Sequence, residues 1–154
     1  MRPAVDDDAP AIARIYIESW NSGFGDILGE RALTDAGIER WERDLADACV
    51  AWTVAEADGE IAGFVGVRPS RDPADPSLGE VDTIAVDPAR WRGGIGRMLM
   101  SHALDQLRQR YLGAVLWTVA DYSRGYAFYR ATGWRLLEQS RADGAEVAFG
   151  HSLR

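Results

Sequence analysis

Three glycines and three arginines lie close together in the segment VDPARWRGGIGRMLM, which spans residues 86–100. The six residues are Gly93, Gly94, Gly96, Arg90, Arg92 and Arg97. Glycines that follow a strand let backbone N–H groups approach a ligand closely, and the N-terminus of the next helix adds a partial positive charge. The segment therefore predicts an anion site, for which phosphate is the usual ligand.

Three kinds of phosphate site use a glycine turn of this sort. A Walker loop requires Gly-Lys-Ser/Thr, and the chain has no lysine, since all 17 of its basic residues are arginine. A dinucleotide fingerprint counted from Gly94 requires glycine at position 99, where Leu99 stands, and it usually follows the first strand of a domain. The pyrophosphate of coenzyme A is the third candidate, and neither test excludes it.

The elements that would position this turn follow from periodicity and turn chemistry. We predict a strand RPAV, a helix from Ala9 to about Trp20 capped by Asp8, a glycine-rich loop over 21–30, and a helix from Thr34 or Asp35 to about Ala48. Segment 49–69 is predicted to be a hairpin, because two β-rich runs flank Asp58-Gly59, a preferred type I′ pair. Further elements are a strand over 79–88, a helix from Gly94 to about Tyr111, a strand over 113–120, a short helix ended by Gly133, and a last hairpin over 134–153.

The predicted order is β-α-α-β-β-β-α-β-α-β-β in a single domain covering residues 1–154. This is an α+β fold, with helices on both faces of a mixed, mostly antiparallel central sheet. The two strands on either side of the quoted segment should lie parallel. The last hairpin could expose a sheet edge at which two copies pair, so a homodimer is a plausible assembly.

Composition excludes several classes of function. The 154 residues carry a net charge of −7 with a pI of about 4.8, which argues against general affinity for nucleic acid. No apolar run is long enough to span a membrane, and the first ten residues do not resemble a signal peptide. Cys49 is the only cysteine, so we expect no internal disulfide, no metal cluster and a reducing cytoplasm.

Three motifs in the same order resemble those of the GNAT family of N-acetyltransferases. They are EVDTIAVDP, then WRGGIGRML, then LWTVADYSRGYAFYRATGW, and the resemblance is clear from about Ile61 to Trp134. Two positions depart from the family pattern: Trp91 replaces the loop Arg or Gln, and Tyr122 replaces an asparagine that often touches the pantetheine arm. The resemblance implies the same fold and the use of acetyl-CoA without a metal.

The resemblance also implies site residues. Glu80 is expected to be the base that takes the proton of the amine, and Tyr129 the group that protonates the leaving thiolate. The backbone of Ile84, Ala85 and Val86 would bind pantetheine. The pyrophosphate would bind the amides of the loop and helix start, which belong to Arg92, Gly93, Gly94, Ile95, Gly96 and Arg97. Ser123 could make the pantetheine contact of the missing asparagine.

A regular strand would place Glu80 and Asp82 on one face, where two neighbouring carboxylates repel and one becomes a better proton acceptor. Either could be the base. Trp20, Phe24 and Ile27 could form one wall of a pocket for the acceptor, with Asp82 attracting a cationic amine. The implied function is transfer of an acetyl group to a primary amine of a small molecule or peptide, in a ternary complex. The alternatives are a non-catalytic acyl-CoA sensor and a nucleotide-binding protein of another fold.

Overall fold

Seven strands and four helices form the chain, which a computed structural model describes over residues 1–154. In order, the elements are β1 (Arg2–Pro3), α1 (Ala9–Leu28), α2 (Asp35–Leu45), β2 (Ala51–Ala57), β3 (Glu60–Pro69), β4 (Leu78–Val86), α3 (Ile95–Arg108), β5 (Gly113–Val119), α4 (Ser123–Ala131), β6 (Arg135–Arg141) and β7 (Glu146–Ser152). The predicted order of elements is therefore confirmed, and so is the fold class. None of the four helices combines the length and apolar character that crossing a bilayer requires.

One sheet contains all seven strands in the order β1-β2-β3-β4-β5-β7-β6. Neighbouring strands are antiparallel except for β4 and β5, which are parallel as the β-α-β connection through α3 requires. Strand β7 inserts between β5 and β6, so β6 forms an open edge. The hairpin of β2 and β3 turns through Asp58 and Gly59, which both have positive φ, as a type I′ turn demands.

Two apolar cores cover the two faces of the sheet. On one face α1 and α2 pack through Ile12, Ile15 and Trp41, and the Trp41 ring lies 5.2 Å from Trp52 and 5.1 Å from Phe64, measured between ring centroids. On the other face α3 packs through apolar residues at helical spacing, with Phe149 and Trp134 beside it. The buried α3 residues are Leu99, Met100, Ala103, Leu104 and Leu107.

Helix α1 is longer than the sequence predicts. The segment expected to be a loop over 21–30 is helical as far as Leu28, and Gly29 ends the helix with a φ of 85°. Glycine costs about 1 kcal/mol at each helix-interior position, but the rings of Trp20 and Phe24 pack edge to face, 5.0 Å apart between centroids, and stabilise this turn. The side chain of Asn21 binds both backbone groups of Arg31, at 2.8 and 2.7 Å, and so folds the following chain back along the helix.

Two smaller differences concern helix ends. Asp8 precedes α1 but makes no side-chain cap to it; its carboxylate accepts from the Val5 N–H and from both Nη atoms of Arg2. Helix α2 ends at Leu45, three residues before the predicted Ala48. The predicted cap at Thr34 is present, since its hydroxyl oxygen accepts from the Gly37 N–H at 3.1 Å.

A β-bulge changes which side chains of β4 face α1. Gly66 of β3 pairs with Thr83 and Val67 pairs with Val81, so Asp82 is the extra residue. The bulge breaks the strict alternation of the strand, and Val81 packs in the core under α3 whereas Ala85 packs in the core under α1. Asp82 and Thr83 therefore both line a cavity on the α1 side.

Candidate active site

The glycine turn between β4 and α3 has the backbone conformation of an anion site. Gly94 stands at the N-cap of α3 with a φ of 88°, and Arg92 also adopts a left-handed conformation, with a φ of 65°. Strain at a non-glycine residue of this kind clusters at functional sites. The first N–H groups of a helix lack intrahelical acceptors, so those of α3 are available to a ligand.

A cleft of about 570 Å³ begins at this turn and runs between β4 and α4. Its lining includes eight of the ten residues predicted to bind the cofactor: Ile84, Ala85, Val86, Arg92, Gly94, Ile95, Gly96 and Arg97. Gly93 and Ser123 do not line it. Arg124 does, and sequence reasoning missed it; its position in the first turn of α4, one residue after Ser123, was the available signal.

Trp91, the first departure from the family pattern, holds the turn against β4. Its indole N–H donates to the carbonyl oxygen of Val86 at 2.8 Å. The guanidinium of Arg124 lies over the indole ring, 4.6 Å from its centroid, so a cation–π contact joins the turn to α4 across the cleft. Arg92, Arg97 and Arg124 have no carboxylate within 4 Å, whereas Arg90 pairs with Asp58. Three unpaired cations thus line a cleft in an acidic protein.

Tyr122, the second departure, connects α4 to α1. Its ring lies 4.5 Å from Phe24, between centroids. A methyl group at Gly23 would meet the Tyr122 hydroxyl, and one at Gly125 would overlap the Tyr122 ring. Burial raises the pKa of Tyr122 above its ordinary value. The large ring therefore fits only because both neighbouring positions are glycine.

Strands β4 and β5 separate beyond three residue pairs. They are paired from Leu78 with Gly113 to Glu80 with Val115, and past that point a cavity of about 170 Å³ opens between them. On its other edge this part of β4 is paired with β3. The opening is thus bounded by backbone groups of β4 and β5 that have no partner strand, and such groups need a ligand or water when they are buried.

Tyr129 stands where the cleft and the opening between the strands meet, since it lines both. Its ring packs 5.3 Å from Phe149 and 5.6 Å from Phe128, between centroids. Burial raises the pKa of Tyr129 to about 12, although the nearby Thr118 hydroxyl acts in the opposite direction. The phenol therefore keeps its proton over the whole physiological range.

A third cavity, of about 250 Å³, continues from the opening toward α2. It shares Tyr16, Asp82 and Thr83 with the opening, so the three cavities lie in a row in which each shares wall residues with the next. We call this row of cavities the groove. Trp20 and Phe24, predicted as acceptor walls, line the middle cavity. Ile27, the third predicted wall residue, is instead exposed on α1.

The two candidate bases differ in access. Glu80 is only 3% exposed and lines none of the three cavities. It accepts from Nη2 and the backbone N–H of Arg71, at 3.0 and 3.1 Å. Asp82 lines two cavities, accepts from the same Arg71 Nη2 at 2.7 Å, and accepts from the Thr83 hydroxyl at 3.1 Å. The structure thus favours Asp82 for direct contact with a ligand and Glu80 for holding Arg71.

A parallel strand pair that opens beside a glycine turn places this chain in the class of N-acetyltransferase folds. A solved structure of the PaiA N-acetyltransferase from Thermoplasma acidophilum, in complex with coenzyme A, superimposes with a TM-score of 0.76 over 98% of this chain and 96% of that one, at 17% identity. The model of the Acetyltransferase (GNAT) family matches residues 9–134. The chain belongs to this family, which confirms the resemblance.

Two curated relatives show how far the similarity extends. A mycothiol acetyltransferase of Saccharomonospora viridis is 33% identical over 115 residues, which are 70% of this chain and 36% of that protein. An uncharacterized N-acetyltransferase, YuaI of Bacillus subtilis, is 25% identical over 153 residues, which are 96% of this chain and 85% of that protein. The chain therefore spans about a third of the first relative and most of the second.

Proposed function

We propose that the protein transfers an acetyl group from acetyl-CoA to a primary amine in a ternary complex. The observation that carries this proposal is the groove, in which Tyr129 lines both the cofactor cleft and the opening, and Asp82 lines both the opening and the third cavity. Both ends of the groove can be occupied at once, as direct transfer requires. The family membership of the chain and the coenzyme A bound to a structural relative support the same cofactor.

The cofactor would lie with its diphosphate against the amides of the turn and the N-terminus of α3, where anions are favoured. Arg92, Arg97 and Arg124 supply positive charge along the cleft. Pantetheine would extend along β4 at Ile84 and Ala85, using backbone groups that no strand pairs on that edge. This places the thioester near Tyr129.

The chemistry then follows from the two residues at the junctions. Asp82 accepts a proton from the ammonium group, and the free amine attacks the thioester carbon, so that a C–N bond forms and the C–S bond breaks. The amine nitrogen gives up two protons in all: one leaves through Asp82 to solvent, and the other ends on the departing sulfur. Tyr129 donates a hydrogen bond to that sulfur as its negative charge develops.

The test is a thiol-release assay of the purified chain with acetyl-CoA and a panel of primary amines, beside calorimetric titration with acetyl-CoA, ATP and NAD. We expect acetyl-CoA to bind and at least one amine to be acetylated. A titration in which ATP or NAD binds and acetyl-CoA does not would refute the proposal. Acetyl-CoA binding without turnover of any amine would instead identify a sensor of acyl-CoA.

A further inference from the structure

The third cavity contains an unusual mixture of charges. Four arginines and three aspartates line it: Arg31, Arg40, Arg68, Arg71, Asp44, Asp47 and Asp82. Some of these charges are satisfied within the protein, because Arg40 lies 3.6 Å from Asp44 and Arg71 pairs with Glu80 and Asp82. Arg31 is stacked on the Trp20 indole, 3.4 Å from the ring centroid. Arg68, the fourth of these arginines, has only a long contact with Asp82.

Arg68 is a largely buried cation without a hydrogen bond. Its side chain is 17% exposed, and the one carboxylate oxygen within 4 Å, Asp82 Oδ1, is 3.8 Å from Nη1. Its buried Nε has no hydrogen-bond partner at all. A guanidinium has five donors; the one on Nε is buried without an acceptor, which is costly, and those on Nη1 and Nη2 make no hydrogen bond within the protein. The Nη groups of Arg68 can therefore donate to an anion in the cavity that this arginine lines.

The neighbour of Arg68 narrows the identity of that anion. Asp82 is the group proposed to take the proton of the amine, so the cation of Arg68 and the acceptor's amine must lie side by side. An α-amino acid carries its ammonium and its carboxylate on one carbon, and it would present these opposite charges to Asp82 and Arg68 together. The cavity, at about 250 Å³, is smaller than the roughly 300–1,000 Å³ of drug-sized pockets, which favours a small acceptor.

Arg71 shows how the amine could reach Asp82. Its side chain is 53% exposed, and its Nη2 contacts both Glu80 and Asp82. An incoming ammonium would replace Nη2 at Asp82, while Arg71 keeps its bonds to the buried Glu80. In the free protein the Arg71 cation thus occupies the place of the substrate's cation.

We propose that the acceptor is a free α-amino acid, with its amine at Asp82, its carboxylate at Arg68 and its side chain against Tyr16 and Trp41. This proposal rests on the proposed acetyl transfer. It excludes a peptide N-terminus and a polyamine as the preferred acceptor, because neither carries a carboxylate on the carbon next to the reacting amine.

The test compares acceptors that differ only in the carboxylate, using the whole chain and acetyl-CoA. Each of the standard L-amino acids is assayed beside its amide and its decarboxylated amine. We expect the acids to exceed their amides in kcat/KM by about 10- to 100-fold, the range expected of a charge-assisted hydrogen bond. The Arg68→Gln variant should lose that margin through KM, so that each acid and its amide become equal within about threefold, and Arg68→Lys should recover part of the margin. Arg43→Gln, an exposed arginine on α2, is the matched control.

Equilibrium binding separates this proposal from the acetyl transfer on which it rests. Amino acids and amides are titrated calorimetrically against the chain saturated with coenzyme A. Carboxylate-dependent binding that Arg68→Gln abolishes would support the site even if no acceptor is turned over. Equal use of acids and amides, or an equal loss for all acceptors in Arg68→Gln, would overturn it while acetyl transfer stands.

Discussion

Removing the hydroxyl of Tyr129 tests the junction of the groove with the smallest possible change. The Tyr129→Phe substitution keeps the ring that packs against Phe149 and Phe128 and deletes only the donor. The pKa of Tyr129 is about 12, whereas a cysteine-type thiol has a pKa of about 8.5. Complete transfer of the phenolic proton to a thiolate of ordinary pKa would therefore be uphill by about 3.5 pKa units, or ~5 kcal/mol at most, because burial raises the pKa of a thiol as well.

This gap limits how much the tyrosine can contribute. Full proton donation by Tyr129 is disfavoured, so its contribution is a hydrogen bond to developing negative charge, worth about 1.5–3 kcal/mol. We therefore expect Tyr129→Phe to lower kcat by about 10- to 150-fold, with little change in the affinity for acetyl-CoA. The variant lacks a donor that acts only as the C–S bond breaks, so the loss should appear in kcat and kcat/KM alike.

The pH profile gives an independent check on the same residue. With a pKa of about 12, roughly one Tyr129 in a thousand is ionised at pH 9, against about one in ten for an ordinary tyrosine. Deprotonation of Tyr129 should therefore cause no decline in kcat between pH 6 and pH 10. A decline near pH 10 that disappears in Tyr129→Phe would show that the phenol titrates normally.

The assay measures thiol release at saturating acetyl-CoA and acceptor, with calorimetry to follow cofactor binding. Tyr126→Phe is the control, because Tyr126 lies on the same helix and packs 5.1 Å from the same Phe149 ring but lines none of the three cavities. A change of less than threefold in Tyr129→Phe would remove the hydrogen bond from the mechanism. A loss above about 10⁴ would mean full proton transfer, against the argument from the pKa.

Three further predictions concern the base, the packing of α4 and the N-terminal ion pair. Asp82→Asn should lower kcat/KM by about 10²- to 10⁴-fold, and Glu80→Gln should lower it by less, because Glu80 acts through Arg71. A larger loss in Glu80→Gln than in Asp82→Asn in the thiol assay would identify Glu80 as the base. Gly125→Ala should lower the free energy of unfolding by about 1–3 kcal/mol, because the new methyl group meets the Tyr122 ring. Adding Tyr122→Asn removes that ring and should restore the free energy of unfolding; a double variant that shows no recovery in urea denaturation would contradict this prediction. Hydrogen bonds from Arg2 are the largest cause of a lowered pKa of Asp8 in the folded protein. The ionised carboxylate therefore stabilises the fold above its unfolded pKa of about 4, and this stabilisation is lost as the pH falls through the lower pKa of the folded state. Asp8→Asn should therefore be about 1–3 kcal/mol less stable at pH 7 and approach the parent protein below pH 4; a gap independent of pH would refute this.

The parts of the fold that the sequence predicts are those set by short-range signals. Asp58-Gly59 fixes the β2–β3 hairpin, because the two residues favour the left-handed conformations that a type I′ turn needs. Gly94 likewise marks the start of α3. Long-range packing decides the rest. Helix α1 runs past Gly23 and Gly25 because aromatic contacts from Trp20 through Phe24 to Tyr122 stabilise it. No local sequence signal predicts a contact partner about 100 positions away.

The acceptor side of the site was predictable only in outline. Spacing along β4 places Glu80 and Asp82 on one face, but the bulge at Asp82, which brings Thr83 to that face as well, depends on how β3 pairs with β4. The two carboxylates also differ in exposure, because Arg71, which lies in the loop before β4, binds Glu80 and covers it. The charge on Arg68 is visible in the sequence, but its lack of a hydrogen bond appears only when the surrounding elements are in place.

The two departures from the family motifs are best understood together with their neighbours. Trp91 has no guanidinium or amide to offer, but its indole N–H binds Val86 and its ring contacts Arg124, so a cation lies beside the position where the motif has Arg or Gln. Tyr122 is far larger than asparagine, and Gly23 and Gly125 are the two positions that leave room for its ring. A substitution in a motif therefore says little by itself about lost function. What matters is whether residues distant in sequence provide the space or the charge that the substitution requires, and at both positions here they do.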